Sequence, residues 1–160
     1  MKRVYLGLMM SLSLGFSAVS YAANPDDILG YWRTIDDKTG FTLTVVKIEK
    51  AKNGTYLGSV VELIPRAGYV PFEVCQRCPA PFTNRNVTQM PLLWNLKADA
   101  NNELNYTAGY VIDPHVGKIY ALDVKLSESG RQLLLRGKVI GANFLSRTQS
   151  WLRDSNYKPK

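Results

Sequence analysis

The chain of 160 residues carries one histidine and two cysteines, and that scarcity removes several chemistries at once. Tetrahedral zinc takes four ligands, and two Cys with one His fall short of such a set. His115 lies far along the chain from both cysteines and follows a turn proline. It reads as a solvent-exposed turn residue, not as a metal ligand or a general base. A nucleophile of the hydrolase kind would therefore have no base beside it. No G-x-S-x-G, H-E-x-x-H or phosphate-cradling glycine loop occurs. The thirteen carboxylates are scattered over turns and solvent faces. Glu62 alone shares a strand face with Val60 and Ile64, which gives it a path inward; the simpler reading is a strand-end residue that reaches water. No catalytic residue is assigned, and no cofactor or metal is implied.

Repeats and low-complexity segments are also missing, and only one long apolar run is present. Lys2 and Arg3 precede a stretch of apolar or small residues from Val4 to Val19, and Ser20-Tyr21-Ala22 offers small residues where a signal peptidase reads. Residues 1–22 are expected to be a cleaved signal peptide, and 23–160 the mature domain. The run is shorter than the ~20 residues of a spanning helix and has no basic stop after it. No cysteine lies near enough for a bacterial lipid anchor. The expected product is exported, periplasmic or secreted, and without stable membrane insertion. At 138 residues after cleavage it is one domain, large enough for a full core. Loss of Lys2 and Arg3 lowers the formal charge from +7 to +5. Basic residues do not cluster except in the tail Tyr157-Lys158-Pro159-Lys160. A solvated, mildly basic surface is expected, on a monomer with no nucleic-acid partner.

What is present is alternation. Phe41, Leu43 and Val45 alternate with threonines, and Asn53-Gly54 then makes a hairpin turn. Tyr56, Gly58, Val60 and Glu62 continue the pattern. So do Leu104, Tyr106, Ala108, Tyr110 and Ile112, then Tyr120, Leu122, Val124 and Leu126, then Leu133, Leu135 and Val139. Period two with short turns rich in Gly, Asn and Asp means antiparallel hairpins. About eight strands are expected, near 30–35, 41–49, 55–64, 91–98, 104–113, 118–127, 131–140 and 146–153. So many sequential hairpin strands favour an all-β, up-and-down antiparallel barrel, which leaves no open sheet edges. A sandwich is the alternative.

The rhythm breaks from Pro65 to Pro91, where five prolines exclude a central strand. This is one long loop, and Cys75-Gln76-Arg77-Cys78-Pro79 sits in its middle. A haem anchor needs His after the second cysteine, and Pro79 is there instead. A thioredoxin-like centre needs a helix N-terminus in a βαβ unit. In an oxidising compartment the remaining reading is a disulfide between Cys75 and Cys78 that staples the loop.

Gly30-Tyr31-Trp32 opens the first strand, and Arg147-Thr148-Gln149-Ser150-Trp151-Leu152-Arg153 forms the last. A G-x-W on strand one with an arginine on the final strand resembles the calycin, or lipocalin-like, pattern. There the tryptophan plugs one barrel end and the arginine packs across it. Gly30, Trp32, Arg147 and Arg153 are the structural candidates, with Arg147 expected over the Trp32 ring and Arg153 as the alternative. The G-x-W, the C-x-x-C loop, Met90-Pro91-Leu92-Leu93-Trp94-Asn95-Leu96, Asp113-Pro114, Gly117-Lys118-x-Tyr120, Leu135-Arg136-Gly137 and Ser146 to Trp151 together resemble the bacterial domain-of-unknown-function family 2147. Ser146 and Asn95 stand where glycine is usual in that family. The resemblance implies an exported, calycin-like barrel and no enzyme activity.

Aromatic side chains on strand faces then suggest a small apolar or amphipathic ligand held in the barrel, with Trp32, Tyr106, Tyr110, Tyr120 and Trp151 as its contacts and the long loop as a cap. An eight-stranded barrel can hold one ligand or be filled by its own side chains. A second class of function is an envelope interaction protein that docks an anionic polymer or a protein through its long loop. A third is a thiol–disulfide enzyme. A deep pocket separates the first two, and a reactive cysteine would favour the third.

Overall fold

A computed structural model describes residues 24–159, without the side chains of Pro25 and Asn143. The expected signal peptide lies outside the described residues. Eight strands run in sequence: β1 (Gly30–Ile35), β2 (Thr42–Lys50), β3 (Tyr56–Leu63), β4 (Pro91–Asp99), β5 (Asn102–Asp113), β6 (Lys118–Leu126), β7 (Gln132–Val139) and β8 (Ala142–Arg153). Each pairs antiparallel with the next, and β8 returns to β1, so the sheet is a closed up-and-down barrel and not a sandwich. The closing seam is short in register, with Trp32 opposite Arg153, Arg33 opposite Leu152 and Thr34 opposite Trp151. Beyond it, Arg147 on β8 reaches Asp37 of the β1–β2 turn with Nε 3.1 Å from Oδ2.

Closure gives every strand a partner on both sides, so no strand is left as a free edge of the sheet, and the alternation sends every second side chain inward. Bulges alter which ones, and two of them move residues singled out above. In β3 one extra residue falls between Val60 and Glu62, opposite Val46 and Val45. Val60 therefore faces the interior, while Glu62 lies on the outside in a shallow groove with Glu73, Asn86 and Thr88. In β5 one extra residue falls between Tyr106 and Gly109, where Ala108 takes φ 58°. Tyr106 stays inside, and the phase of the strand then reverses, so Tyr110 faces outward. A Cβ on Gly109 would lie 2.7 Å from Leu96 Cδ1; the missing side chain is what admits Leu96 to the core.

The core fills one half of the barrel. Trp32, Tyr56, Leu93, Leu96, Tyr106 and Leu126 are all essentially buried there. The 3-10 helix Pro25–Ile28 lies across that end, with Asn24 as its N-cap. The turns β2–β3, β4–β5 and β6–β7 are at the same end. The β1–β2, β5–β6 and β7–β8 turns and the long loop surround the other. Among the described residues, no helix is long and apolar enough to cross a membrane.

The loop between β3 and β4 is ordered by its own bonds. Val74 and Asn86 bridge as antiparallel partners. Cys75 N–H donates to Arg85 O at 2.9 Å, and Asn84 N–H to Cys75 O at 3.0 Å. Cys75 and Cys78 form a disulfide, and both are buried. The cystine turn sits on the β5–β6 turn. Gly117 has φ 69°, and a Cβ there would fall 2.0 Å from Arg77 O, so only glycine serves both the turn and the contact.

Candidate functional site

The closed end is sealed by one constellation. Trp32 is fully buried and donates its indole N–H to Ile28 O at 2.9 Å. The Arg153 guanidinium lies 4.2 Å from the centre of the Trp32 ring. Arg153 also donates from Nε to Gly130 O at 2.5 Å, from Nη1 to Leu29 O at 2.9 Å, and from Nη2 to Asp27 O. Burial pushes the Arg153 pKa down, against a smaller upward pull from Asp27. Beside it, the Tyr56 hydroxyl donates to Asp26 Oδ1 at 2.9 Å, and Tyr56 meets Tyr106 edge-on at 5.5 Å. Burial and the Asp26 carboxylate raise the Tyr56 pKa, and burial raises that of Tyr106 to about 12. Lys50 and Tyr56 together hold the Asp26 carboxyl below its ordinary range.

Above this plug the barrel is hollow. A cavity of about 620 Å³ opens between the turns of the other end. Its walls are aliphatic: Val60 of β3, Val111 of β5, Leu122 of β6 and Leu135 of β7. Its deepest β1–β8 pair is Thr34 and Trp151, with Thr44 and Gln149 adjoining. The Thr34 and Thr44 hydroxyls are 2.9 Å apart, and Thr44 N–H donates to Thr34 Oγ1 at 3.2 Å. Trp151 is 2% exposed, and its Nε1 has no hydrogen-bond partner.

Charge appears only at the mouth. Asp36, Asp37 and Lys38 line it from the β1–β2 turn, Asp113 and His115 from the β5–β6 turn, and Arg147 from β8. The Arg147 hydrogen bond holds the Asp37 carboxyl below its ordinary range. Asp36 is held down mainly by the backbone N–H of Lys38. Tyr69, Pro71 and Phe72 bring the long loop to the rim, and Phe72 meets His115 edge-on at 4.7 Å. Arg66 stacks between Phe41, at 4.2 Å, and Tyr69, at 5.3 Å. Several rim residues leave large apolar surface in water: Val70, Phe72, Val116, Ile140 and Phe144 are all exposed.

These positions correct the sequence expectations in three places. Arg153, not Arg147, covers Trp32; Arg147 is at the opposite end of β8 on Asp37. Trp32 and Tyr106 lie in the plug beneath the cavity and do not line it. Tyr110 is on the outer face, where it stacks on Trp94 at 5.9 Å, and Trp94 in turn meets Phe82 of the long loop at 5.3 Å. Tyr120 and Trp151 do line the cavity, and His115 is an exposed turn residue at its edge. Thr34 and Thr44 were not singled out by sequence reasoning. Their signal was available for Thr34, which follows Trp32 at the two-residue period. Gln149 shares a face with Arg147, Trp151 and Arg153 by the two-residue period of β8. Asn95 takes φ 57°, which accounts for the glycine expected there, because asparagine is among the few other residues that tolerate that region. Among the described residues, no group of three or more His, Cys, Asp or Glu is placed to hold a metal ion.

Comparison with solved structures finds the same architecture in protein HP1028 from the human pathogen Helicobacter pylori, described as belonging to the lipocalin family. The TM-score is 0.65, identity is 18%, and the match covers 81% of this chain and 84% of that one. At that identity the likeness is one of fold. No curated protein matches the chain. The family described as "Uncharacterized protein conserved in bacteria (DUF2147)" matches residues 30–153, from the glycine that opens β1 to the arginine that seals the barrel, and the chain belongs to that family.

Proposed function

We propose that this chain is an exported protein of the cell envelope, periplasmic or secreted, that holds a small apolar or amphipathic molecule in its barrel without chemically changing it. The observation that carries this reading is the cavity of about 620 Å³, open at one end and aliphatic along its walls. That volume lies within the range of small-molecule sites, and so does its make-up of apolar walls with a few placed polar groups. The lipocalin-like fold supports the same reading by analogy. Export rests on the leader-like residues 1–22. The inner wall offers surface and hydrogen bonds in place of a nucleophile with its base, which supports a binding role over an enzymatic one.

A fluorescent fatty-acid analogue tests the proposal. It should bind purified mature protein at micromolar levels and be displaced by unlabelled lipid. Leu135→Trp, which fills the void from its wall, should weaken binding at least tenfold while the barrel's circular dichroism is unchanged. A probe that does not bind, or binds Leu135→Trp as well as wild type, overturns the cavity reading. Intact mass of protein recovered from the envelope fraction should place the mature N-terminus at Ala23.

One observation favours a second reading. Val70 and Phe72 stand exposed on the long loop, as they would on an interaction protein that docks a protein surface there. The two readings separate on the wild-type protein: a carrier binds the fluorescent probe, whereas a docking protein without a cavity ligand does not bind it.

A further inference from the structure

Arg147 stands where the apolar wall meets water. It shares the inward face of β8 with Gln149 and Trp151, and it lines the cavity at the mouth. Its Nε donates to Asp37 Oδ2 at 3.1 Å, and its Nη2 donates to Asp37 Oδ1. This is the two-pronged grip that a guanidinium makes on a carboxylate. Water reaches both partners, for Arg147 is 57% and Asp37 40% exposed. An ion pair so exposed is weak, and its carboxylate is open to exchange. Asp37 belongs to the β1–β2 turn, beyond the point where the β1–β8 register ends at Thr34 and Trp151. The fold therefore shows a carboxylate seated at the mouth of the cavity on a contact that it can release.

Among the described residues, the basic groups that line the cavity are Lys38, His115 and Arg147, and all three are at the mouth. An anion carried to the inner end would lose its water with no cation to offset the cost. The rest of the rim is no better for it. Asp36 Oδ1 accepts the backbone N–H groups of Lys38 and Thr39, and Asp113 Oδ1 accepts that of His115. Both carboxylates are tied into their own turns and repel an anion placed beside them. Arg147 is the one position where the chain itself already seats a carboxylate with two hydrogen bonds. Four residues of β8 separate it from Trp151, about 13 Å of wall, which is room for an aliphatic chain of medium length below the head.

We infer that the cavity takes an aliphatic carboxylate tail first, with its body along Val60, Leu122 and Leu135 and its ionised head on Arg147 in the place of Asp37. Asp37 is the place-holder of the empty state and returns to water, beside Lys38, when the ligand's carboxylate takes over the guanidinium. The inference rests on the cavity reading and adds an orientation, a head group and a specificity-determining residue to it.

The test runs decanoate and decanol as competitors of bound Nile red, a neutral probe, at neutral pH in wild type, Arg147→Gln and Asp37→Asn. The two competitors share a tail, so the change in the ratio of their affinities isolates the head. The ratio of decanoate to decanol affinity should fall roughly fivefold in Arg147→Gln, the upper worth of an exposed ion pair. It should rise roughly two- to fivefold in Asp37→Asn, which frees the guanidinium. A purely structural role for the pair would move both competitors alike. In the wild-type protein the Arg147 Nε resonance should shift with decanoate and not with decanol, and this arm decides the matter if a variant fails to fold. A ratio unchanged in Arg147→Gln, a ratio that does not rise in Asp37→Asn, or an Nε resonance that answers both compounds alike overturns the head-group assignment while the cavity reading stands. Displacement of Nile red by neither compound overturns both.

Discussion

Arg153 joins parts of the chain that lie far apart in sequence. It holds carbonyls of the N-terminal segment and of the β6–β7 turn, and its flat face covers Trp32. Trp32→Ala should cost about 3–5 kcal/mol in urea unfolding, as truncations of buried aromatics do. Arg153→Ala strands three carbonyls and uncovers the ring, for a loss of about 2–4 kcal/mol. Arg147→Ala removes only an exposed pair with Asp37 and should change stability by less than about 1 kcal/mol. The reverse order of the two arginines would show that the seal is misassigned. The shared face of Arg147, Gln149, Trp151 and Arg153 was legible in the sequence from the two-residue period. Which arginine meets Trp32 was not, because that depends on the register of strands more than a hundred residues apart. A second prediction concerns the buried phenols. Tyr106 is raised to about 12 and Tyr56 is raised as well, chiefly by burial. Their protonated forms are favoured in the folded state, so their contribution to stability is whole below the ordinary phenol pKa of about 10 and declines as pH climbs through about 12. Alkaline titration at 295 nm should show these two ionising last, together with loss of the barrel. Ionisation of all tyrosines near pH 10 with the barrel intact would contradict the burial.

Among the elements, the eight strands were legible to within a few residues, since most show alternation and a turn signal at their ends. The bulges were not. A single extra residue in β5 turned Tyr110 outward, and one in β3 did the same to Glu62. Nothing local marks either slip, because both are mismatches with a neighbouring strand. The long loop was legible through its prolines, and its disulfide through the expected compartment. Its seat on the β5–β6 turn was not, because Gly117 shows its purpose only once Arg77 is against it. Removing the bridge with Cys75→Ser and Cys78→Ser should lower stability by about 2 kcal/mol, the chain-entropy value for so small a ring, and leave the barrel's β signal intact. Gly117→Ala should act on the same element from the other side. The new Cβ cannot share space with Arg77 O, so the cystine turn lifts, and dithiothreitol should reduce the bridge several-fold faster than in wild type. Equal rates would mean the turn does not depend on that seat.

For the whole molecule, the choice between a filled and a hollow barrel has a divided answer. Side chains fill the end with Trp32, Tyr56 and Tyr106, and they leave the end with Thr34, Gln149 and Trp151 open. Composition did not reveal this, because both halves are built from the same alternating residues and differ in size and register alone. The β1–β8 seam, three residue pairs long in register, has a consequence for the order of events in the making of the protein. A ribosome produces β1 first and β8 last, and each intermediate strand pairs with the strands next to it in sequence. β1 alone must keep one side unpaired until Trp151, Leu152 and Arg153 arrive to meet Thr34, Arg33 and Trp32. Throughout that wait the outer edge of β1 and the face of Trp32 are open to the β8 of any neighbouring chain, so the step that completes the fold is also the one at which two molecules can exchange strands.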